Sequence, residues 1–235
     1  MKILIYQYFD KPTNFFSPQT HWDCSHCSVS AYARKYNYEY KLIDGGAPLC
    51  PNFGVFLPFL EGWADDWDGL FYVDSDFLAT STAADIKYFI DHKDICISHM
   101  NTGPLVIPAV NTDVSPWYED GPVNTGAVFI PKSQYENITE YLSDLDHLWS
   151  LNKYNPKSKN YKSKNNTFGG ADQQILNQYS IDRGQKFFNL HYNFNYHMHR
   201  YDRKYKKEAS LIHYHQSTGN AELLKNDFKE DFILK

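Results

Sequence analysis

A chain of 235 residues is long enough for one large domain with a full core. Its formal net charge of −5 supplies no field that would favour nucleic acid or an anionic membrane, and no apolar run approaches the length of a membrane span. Aromatic residues make up 17% of the chain, with 19 Tyr and 16 Phe; such rings suit stacking on sugars and bases and are equally ordinary core material.

The N-terminus, Met1-Lys2-Ile3-Leu4-Ile5-Tyr6, has no long apolar segment and no small-residue cleavage site, so it reads as a first strand rather than a leader. That reading puts the chain in the cytoplasm, with Cys24, Cys27, Cys50 and Cys96 as reduced thiols and the sequons at Asn137 and Asn165 bare. Ile3 to Tyr8 is the opening strand, and Asp10 to Ser17 the loop leaving it at the ligand edge. Tyr6 and Tyr8 either stack on a base or belong to the core.

Ser28 to Tyr38 has Val29, Tyr32, Ala33 and Tyr36 at helical spacing, and Asn37 ends it. Tyr38 to Ile43 alternates as a second strand, closed by Asp44-Gly45-Gly46. Strand, helix, strand is the parallel α/β pattern. Asp44 then either holds a ribose or caps turn amides. Cys24 and Cys27 with His21 and His26 raise the question of zinc. No second ligand pair follows at matching spacing, so a helix start with buried thiols is the better reading.

Phe53 to Trp63 reads as an aromatic helix on the sheet. Next come Asp68-Gly69, which is turn chemistry, and Leu70 to Val73, a short apolar run that reads as a buried strand. Asp74 and Asp76 end it. Residues i and i+2 of a strand point to one side, at the end where open α/β sheets place ligands. Two carboxylates so close raise one another's pKa; a divalent cation bound with a nucleotide's phosphates removes the conflict.

Ala83 to His92 reads as an amphipathic helix and Asp94 to Ser98 as a strand. Met100 to Glu119 is a Pro-rich loop, either an acceptor wall or a surface connection. Pro122 to Ile130 joins a polar turn to a β-rich run, with Gly126 permitting close backbone approach to a ligand. Gln134 to Leu151 is helical, with Ile138, Tyr141, Leu142, Leu145 and Leu148 on one face. Asn152 to Asn166 carries Lys153, Lys157, Lys159, Lys162 and Lys164 and no acid; it reads as a solvated loop, with a lid or an anion contact as the functional alternative. Phe168-Gly169-Gly170 turns into a helix with Asp172 at its start. Phe187 to Phe194 reads as a strand, Leu211 to His215 as a strand with both imidazoles on one side, and Asn220 to Lys235 as a terminal helix.

Four of these pieces, in this order, resemble the metal-dependent nucleotide-sugar glycosyltransferases of the GT-A fold, closest to the retaining glycogenin-like and galactosyltransferase group. Asp74-Ser75-Asp76 resembles that family's Asp-x-Asp, Asn124-Thr125-Gly126 its donor-sugar segment, Asp172-Gln173-Gln174-Ile175-Leu176-Asn177 its Asp-Gln-x-x-Leu-Asn, and His213-Tyr214 its late His-aromatic pair. The resemblance implies one α/β domain over 1–235, with a mostly parallel mixed sheet flanked by helices. Residues 1–100 would form mainly the nucleotide half, and 101–235 the sugar and acceptor half with the late metal ligand.

It also implies Mn²⁺ or Mg²⁺, with Mn²⁺ preferred, held by Asp74, Asp76 and His213, and a nucleotide-sugar donor, UDP-linked by family habit. A glycan or other hydroxyl is the implied acceptor, and transfer retains configuration. Ser75, Thr125 and Gly126 fall to donor binding, and Asp172, Gln173 and Asn124 to positioning the sugar. The family's Gly and Lys-Pro after the late His are replaced here by Gln216-Ser217-Thr218-Gly219-Asn220, which leaves His215, the Gly219 amide or Lys225 to hold the diphosphate. Two rivals remain. A haloacid-dehalogenase phosphatase also starts from Asp-x-Asp but needs Thr or Val where this chain has Leu78. A catalytically silent sugar-binding domain can share the fold.

Overall fold

The computed structural model describes residues 1–9, 20–49, 51–99, 123–151, 171–198, 203–214 and 218–233. The expected loops at 10–17, 100–119 and 152–166, together with Cys50 and His215, lie outside the described residues. Among the described residues no helix is long and apolar enough to cross a membrane.

Two sheets carry the molecule. The elements in order are β1 (Ile3–Phe9), α1 (Thr20–Lys35), β2 (Glu39–Asp44), α2 (Leu57–Leu60), β3 (Gly69–Val73), β4 (Phe77–Ala79), β5 (Cys96–His99) and β6 (Val123–Pro131), then α3 (Tyr135–Leu142), α4 (Leu145–Leu151), α5 (Ala171–Arg183), β7 (Phe188–Asn189), β8 (Tyr196–His197), β9 (Leu211–His213) and α6 (Thr218–Phe228). The central sheet has six strands in the order β2-β1-β3-β6-β5-β7. β1 pairs parallel with β2 and β3, and β5 with β7; β6 alone runs against its neighbours. The expected mixed, mostly parallel sheet is therefore present, built from both halves of the chain.

Alternation along the strands loads both faces. Leu4, Tyr6, Tyr8, Leu70, Tyr72, Val128 and Ile130 join one core layer, under Phe53, Phe56, Phe59, Tyr135, Ile138 and Leu176. Ile3, Ile5, Phe71, Val73, Ala127 and Phe129 join the other, under Val29, Tyr32 and Ala33 of α1. A sheet covered on both faces reads as continuous apolar runs, which is how β1 and β3 look in sequence. The smaller sheet, β4-β9-β8, has its own apolar cluster with α6, through Leu78, Tyr196, Ile212, Tyr214 and Leu224.

Several expected elements are shorter or broken, each with a local cause. Ala83 to His92 is not a helix; only Ile86–Tyr88 makes a turn of 3-10 helix. Its backbone groups are held by side chains instead. Tyr36 and Lys35 donate to the Ala83 carbonyl, Tyr32 to that of Ala84, and Ser210 Oγ accepts from Ala84 N–H. Phe53 to Trp63 is split into a 3-10 turn, Pro51–Phe56, and the single turn of α2.

The helix expected at Gln134 to Leu151 divides at Ser143, whose hydroxyl donates to Glu140 O at 2.7 Å, while Asp144 caps the next helix by accepting from His147 N at 3.1 Å. The run Phe187 to Phe194 keeps only Phe188–Asn189 as strand and ends in a 3-10 turn, Tyr192–Phe194. α1 begins at Thr20 rather than Ser28, and this leaves Cys24 half-buried and Cys27 exposed instead of buried; Cys96 is buried. β4 and β8 are strands that three- and two-residue runs do not announce.

Gly54 shows how tightly the first layer packs. A Cβ built there would lie 2.2 Å from Cγ of Tyr8, a ring root with nowhere to move. Gly54→Ala should therefore destabilise the protein by about 1–3 kcal/mol through overpacking, read as a lowered midpoint in urea; an unchanged midpoint would show that this layer has slack.

Candidate active site and metal centre

The site follows from strand direction. β1, β2 and β3 are parallel, so their C-terminal ends share one edge of the sheet. β6 is antiparallel to β3, so its first residues, not its last, arrive at that edge. Asp74 directly follows β3, and its N–H donates to the Gly126 carbonyl at 2.8 Å. The chain then turns through Ser75 and Asp76 into β4.

β4 pairs antiparallel with β9, setting Phe77 opposite His213, and Tyr214 N donates to Asp76 O at 3.1 Å. This pairing carries His213 across 137 residues of sequence to the two acids. His213 Nε2 lies 3.3 Å from Asp76 Oδ1. One ligand atom from each of Asp74, Asp76 and His213 lies within 4.8 Å of the others. The third group meeting the acids is thus an imidazole, not the lysine that a dehalogenase-type phosphatase requires.

Burial and mutual repulsion set the electrostatics. Burial foremost, then the Asp76 charge, pushes the Asp74 carboxyl up to about 7; His213 and a 2.7 Å hydrogen bond from Tyr72 Oη oppose the rise. Asp172, in the first turn of α5, is only 4% exposed. Burial pushes its carboxyl up to about 6, against hydrogen bonds from Thr125, from the Gln173 N–H and from its own N–H. Its Oδ1 has no hydrogen-bond partner among the described residues. Asp172 is close enough to raise the pKa of Asp74 as well, so α5 and β3 address one space. Gln173 beside it is half-buried.

Asn124, Thr125 and Gly126 lie inside β6 rather than in a turn before it. The β5–β6 register jumps there, from Ile97↔Val128 to Ser98↔Asn124, so Thr125 to Ala127 arch away from β5. The arch lets Thr125 reach Asp172. Asn124 Oδ1 accepts from Gly126 N at 3.0 Å and from Asn195 Nδ2 at 2.7 Å. Gly126 was expected to make room for a ligand; it makes room for His213. A Cβ there would fall 2.7 Å from His213 Cε1. Phe77 stacks on the same ring, centroids 4.3 Å apart.

A cavity of about 360 Å³ opens beside the acids. Phe9, Leu42, Asp44 and Ser75 line it from the strand ends, and Trp22, Asp23 and His26 from α1. Asp44 and Ser75, both expected at the nucleotide, thus face one space. Tyr6 and Tyr8 do not. Tyr6 is 0% exposed, its hydroxyl donating to Val55 O at 2.6 Å, and Tyr8 lies under Gly54 with its oxygen accepting from Ala47 N at 3.3 Å. Both are core, and neither has a ring face left for a base. The aromatic pair at the cavity is Phe9 and Trp22, centroids 5.2 Å apart.

Behind the cavity a buried chain of polar groups holds the edge together. Gln7 Nε2 donates to Asp74 O and Ser25 Oγ, both at 3.0 Å; Tyr40 Oη donates to Gln7 Oε1 at 2.8 Å and lies 2.7 Å from His26 Nδ1. Sequence reading missed Gln7, Phe9, Trp22 and Asn195, and weighed His26 only as a zinc ligand. For Gln7 a signal existed, since it is the one polar side chain among apolar and aromatic residues in β1. Gly219 sits in the first turn of α6, and Lys225 on that helix is ion-paired with Glu222. A larger depression, about 590 Å³, lies between α2 and α3, by the N-terminal end of β3, away from these groups.

The raised carboxyl pKa values have a consequence for stability. A carboxyl that binds its proton more tightly when folded favours the folded state at low pH. That contribution is lost as pH rises from the ordinary carboxylate value, about 4, through the folded value, about 7 for Asp74. Chelator-treated protein should therefore lose thermal stability between pH 5 and pH 8. Asp74→Asn should flatten that slope, and Mn²⁺ should restore the midpoint at pH 8. A midpoint indifferent to pH in that window would contradict the buried-acid account.

No family model matches the chain, and no curated protein sequence matches it. Solved structures do. A glycosyltransferase involved in glycosylation of the major capsid of PBCV-1 aligns over 98% of this chain and 100% of its own, at 18% identity and a TM-score of 0.60. The bifunctional glycosyltransferase WbbM aligns over 98% of this chain and 49% of its own, at 12% identity and a TM-score of 0.55. An active-site mutant of the galactosyltransferase LgtC aligns over 97% and 95%, at 13% identity and a TM-score of 0.54. The architecture shared with these structures is the GT-A glycosyltransferase fold, and this chain carries an Asp-x-Asp sequence, Asp74-Ser75-Asp76, at the end of β3.

Proposed function

We propose that this protein is a metal-dependent glycosyltransferase. It takes a sugar from a nucleotide-sugar, with a UDP-sugar as the first donor to test, and passes it to a hydroxyl of a glycan or similar acceptor with retention of configuration. The observation that carries this reading is the convergence of Asp74, Asp76 and His213 beside a nucleoside-sized cavity at the strand ends. The likeness to glycosyltransferases of the same fold supports it.

The residues present fit a divalent cation. Two carboxylates and an imidazole oxygen–nitrogen set suits Mn²⁺ better than Ca²⁺. Burying two adjacent acids against a histidine costs stability unless something positive joins them. When bound, such a cation supplies Lewis-acid neutralisation of charge on a departing diphosphate. The protein's own groups do the rest. Asp44 and Ser75 offer hydrogen-bond partners to the nucleoside, and the Phe9–Trp22 pair offers an apolar wall.

Asp172 takes the sugar side. Its buried carboxylate, with one oxygen held by Thr125 and backbone amides, is placed to stabilise positive charge developing at an anomeric carbon. Gln173 adds an amide next to it. The Gly219 amide, His215 and Lys225 remain the candidates for the diphosphate's outer oxygens.

Nucleotide-sugar hydrolysis and transfer test the reading. Activity should vanish on chelation and return with Mn²⁺, and UDP should raise the melting midpoint only when Mn²⁺ is present. At a hundredfold excess over Kd the stabilisation is about 2.7 kcal/mol. Asp76→Asn should abolish that metal-dependent shift and keep the fold; full activity after exhaustive chelation would overturn the proposal.

Asp172→Asn separates the sugar side from the nucleotide side. Turnover should fall by about 100-fold or more while UDP affinity stays nearly constant. An equal loss of UDP affinity would move Asp172 into the nucleotide site.

A further inference from the structure

We propose that Asn195 is a positioning residue that holds a proton on His213 Nδ1, so that Nε2 is the nitrogen turned toward Asp76 and is the one offered to a cation held there. The argument runs outward from one atom whose role is certain. The Gly126 backbone N–H can only donate, and it lies 3.0 Å from Asn124 Oδ1. That contact sets the Asn124 carboxamide with its oxygen inward. The Asn195 atom 2.7 Å from the same oxygen must then be the donor, Nδ2. The opposite end of the Asn195 carboxamide is therefore Oδ1, an acceptor, and it lies 3.1 Å from His213 Nδ1. An acceptor there requires a proton on Nδ1. In the neutral ring Nε2 then carries a lone pair, 3.3 Å from Asp76 Oδ1.

Packing alone would not achieve this. Phe77 stacks on the imidazole, His197 of β8 lies 4.7 Å from it centroid to centroid, and Gly126 abuts its edge. Those contacts hold the plane of the ring but do not discriminate between its two neutral tautomers. The hydrogen bond does. It also rejects the flipped ring, which would put a carbon against Asn195 Oδ1. Asn195 is itself well held: it is 0% exposed, and its N–H closes the Tyr192–Phe194 turn on Tyr192 O at 3.1 Å. An imidazole in water favours the tautomer protonated on Nε2 alone; the Asn195 acceptor selects against it and keeps Nε2 as the nitrogen facing the acids. Partners of this kind, which orient a ligating histidine through its second nitrogen, shape metal affinity as the ligands do.

The metal arm of the test rests on the proposed metal centre; the tautomer arm does not. Long-range ¹H–¹⁵N spectra of chelator-treated protein, with His213 assigned by comparison with His213→Gln, should show Nδ1 protonated, whether or not Nε2 also carries a proton toward Asp76. A ring protonated on Nε2 alone in wild-type protein would overturn the proposal, whether or not the protein uses a nucleotide-sugar. Asn195→Leu keeps the volume and removes the acceptor. Its spectrum should lose the Nδ1–H signature, and Mn²⁺ affinity, read by electron paramagnetic resonance without nucleotide, should fall about 10- to 100-fold. A folded Asn195→Leu that binds Mn²⁺ as wild type does would also overturn the proposal. If Asn195→Leu fails to fold, the wild-type spectrum alone decides.

Discussion

Two carboxylates at the end of a fully buried strand are the constraint around which the rest is arranged. β3 is buried at every position, and Asp74, half-buried, and Asp76, buried, emerge from an apolar wall. Desolvation and like charge both work against ionising Asp74. A fold keeps such a pair only where the surroundings hold it in place. Here the backbone of Asp74 is held from two sides, by Gly126 O and by Gln7 Nε2, and that of Asp76 by Tyr214 N. The acids are therefore fixed by main-chain contacts, and Asp74 Oδ1 is held as well by Tyr72 Oη.

The smaller sheet exists in the service of that arrangement. β4, β8 and β9 are two or three residues each, too short to persist alone. They are stabilised by the cluster around Leu78, Tyr196, Ile212 and Leu224 and by the C-terminal helix. That helix is pinned by Asp227, which bonds Tyr214 Oη and pairs with Lys206, and by Asp231 just beyond it, which accepts from Ser81 N at 2.6 Å and Ser81 Oγ at 2.7 Å. Tyr214 adjoins His213, so the anchoring of the last helix and the placing of the imidazole are one piece of structure.

The high aromatic content has a structural use more than a ligand-binding one. Tyrosine hydroxyls on strands, helices and the turns beside them repeatedly tie down irregular segments: Tyr6 to Val55, Tyr32 to Ala84, Tyr36 to Ala83, Tyr38 to Asp85, Tyr179 to Gln134. Each ring fills core volume while its hydroxyl satisfies a carbonyl or side chain that irregular backbone leaves over. This accounts for the missing helix at Ala83 to His92, where tyrosines take the bonds a helix would have used.

The sequence by itself determined the parallel α/β pattern, the buried β3 strand and the projection of Asp74 and Asp76 from one end, while the late histidine as their partner was implied by the family resemblance. These are matters of alternation, turn residues and motif order, all local or additive along the chain. Tertiary structure decided the rest. Whether Tyr6 faces a base or a core depends on what covers the sheet. Whether Gly126 serves a ligand or His213 depends on which side chain approaches it. The line from Gly126 through Asn124 and Asn195 to His213 joins segments up to 89 residues apart. Hydrogen bonds between distant polar side chains leave no periodicity in a sequence, because their partners are chosen only when strand pairing has brought them within 3 Å or so.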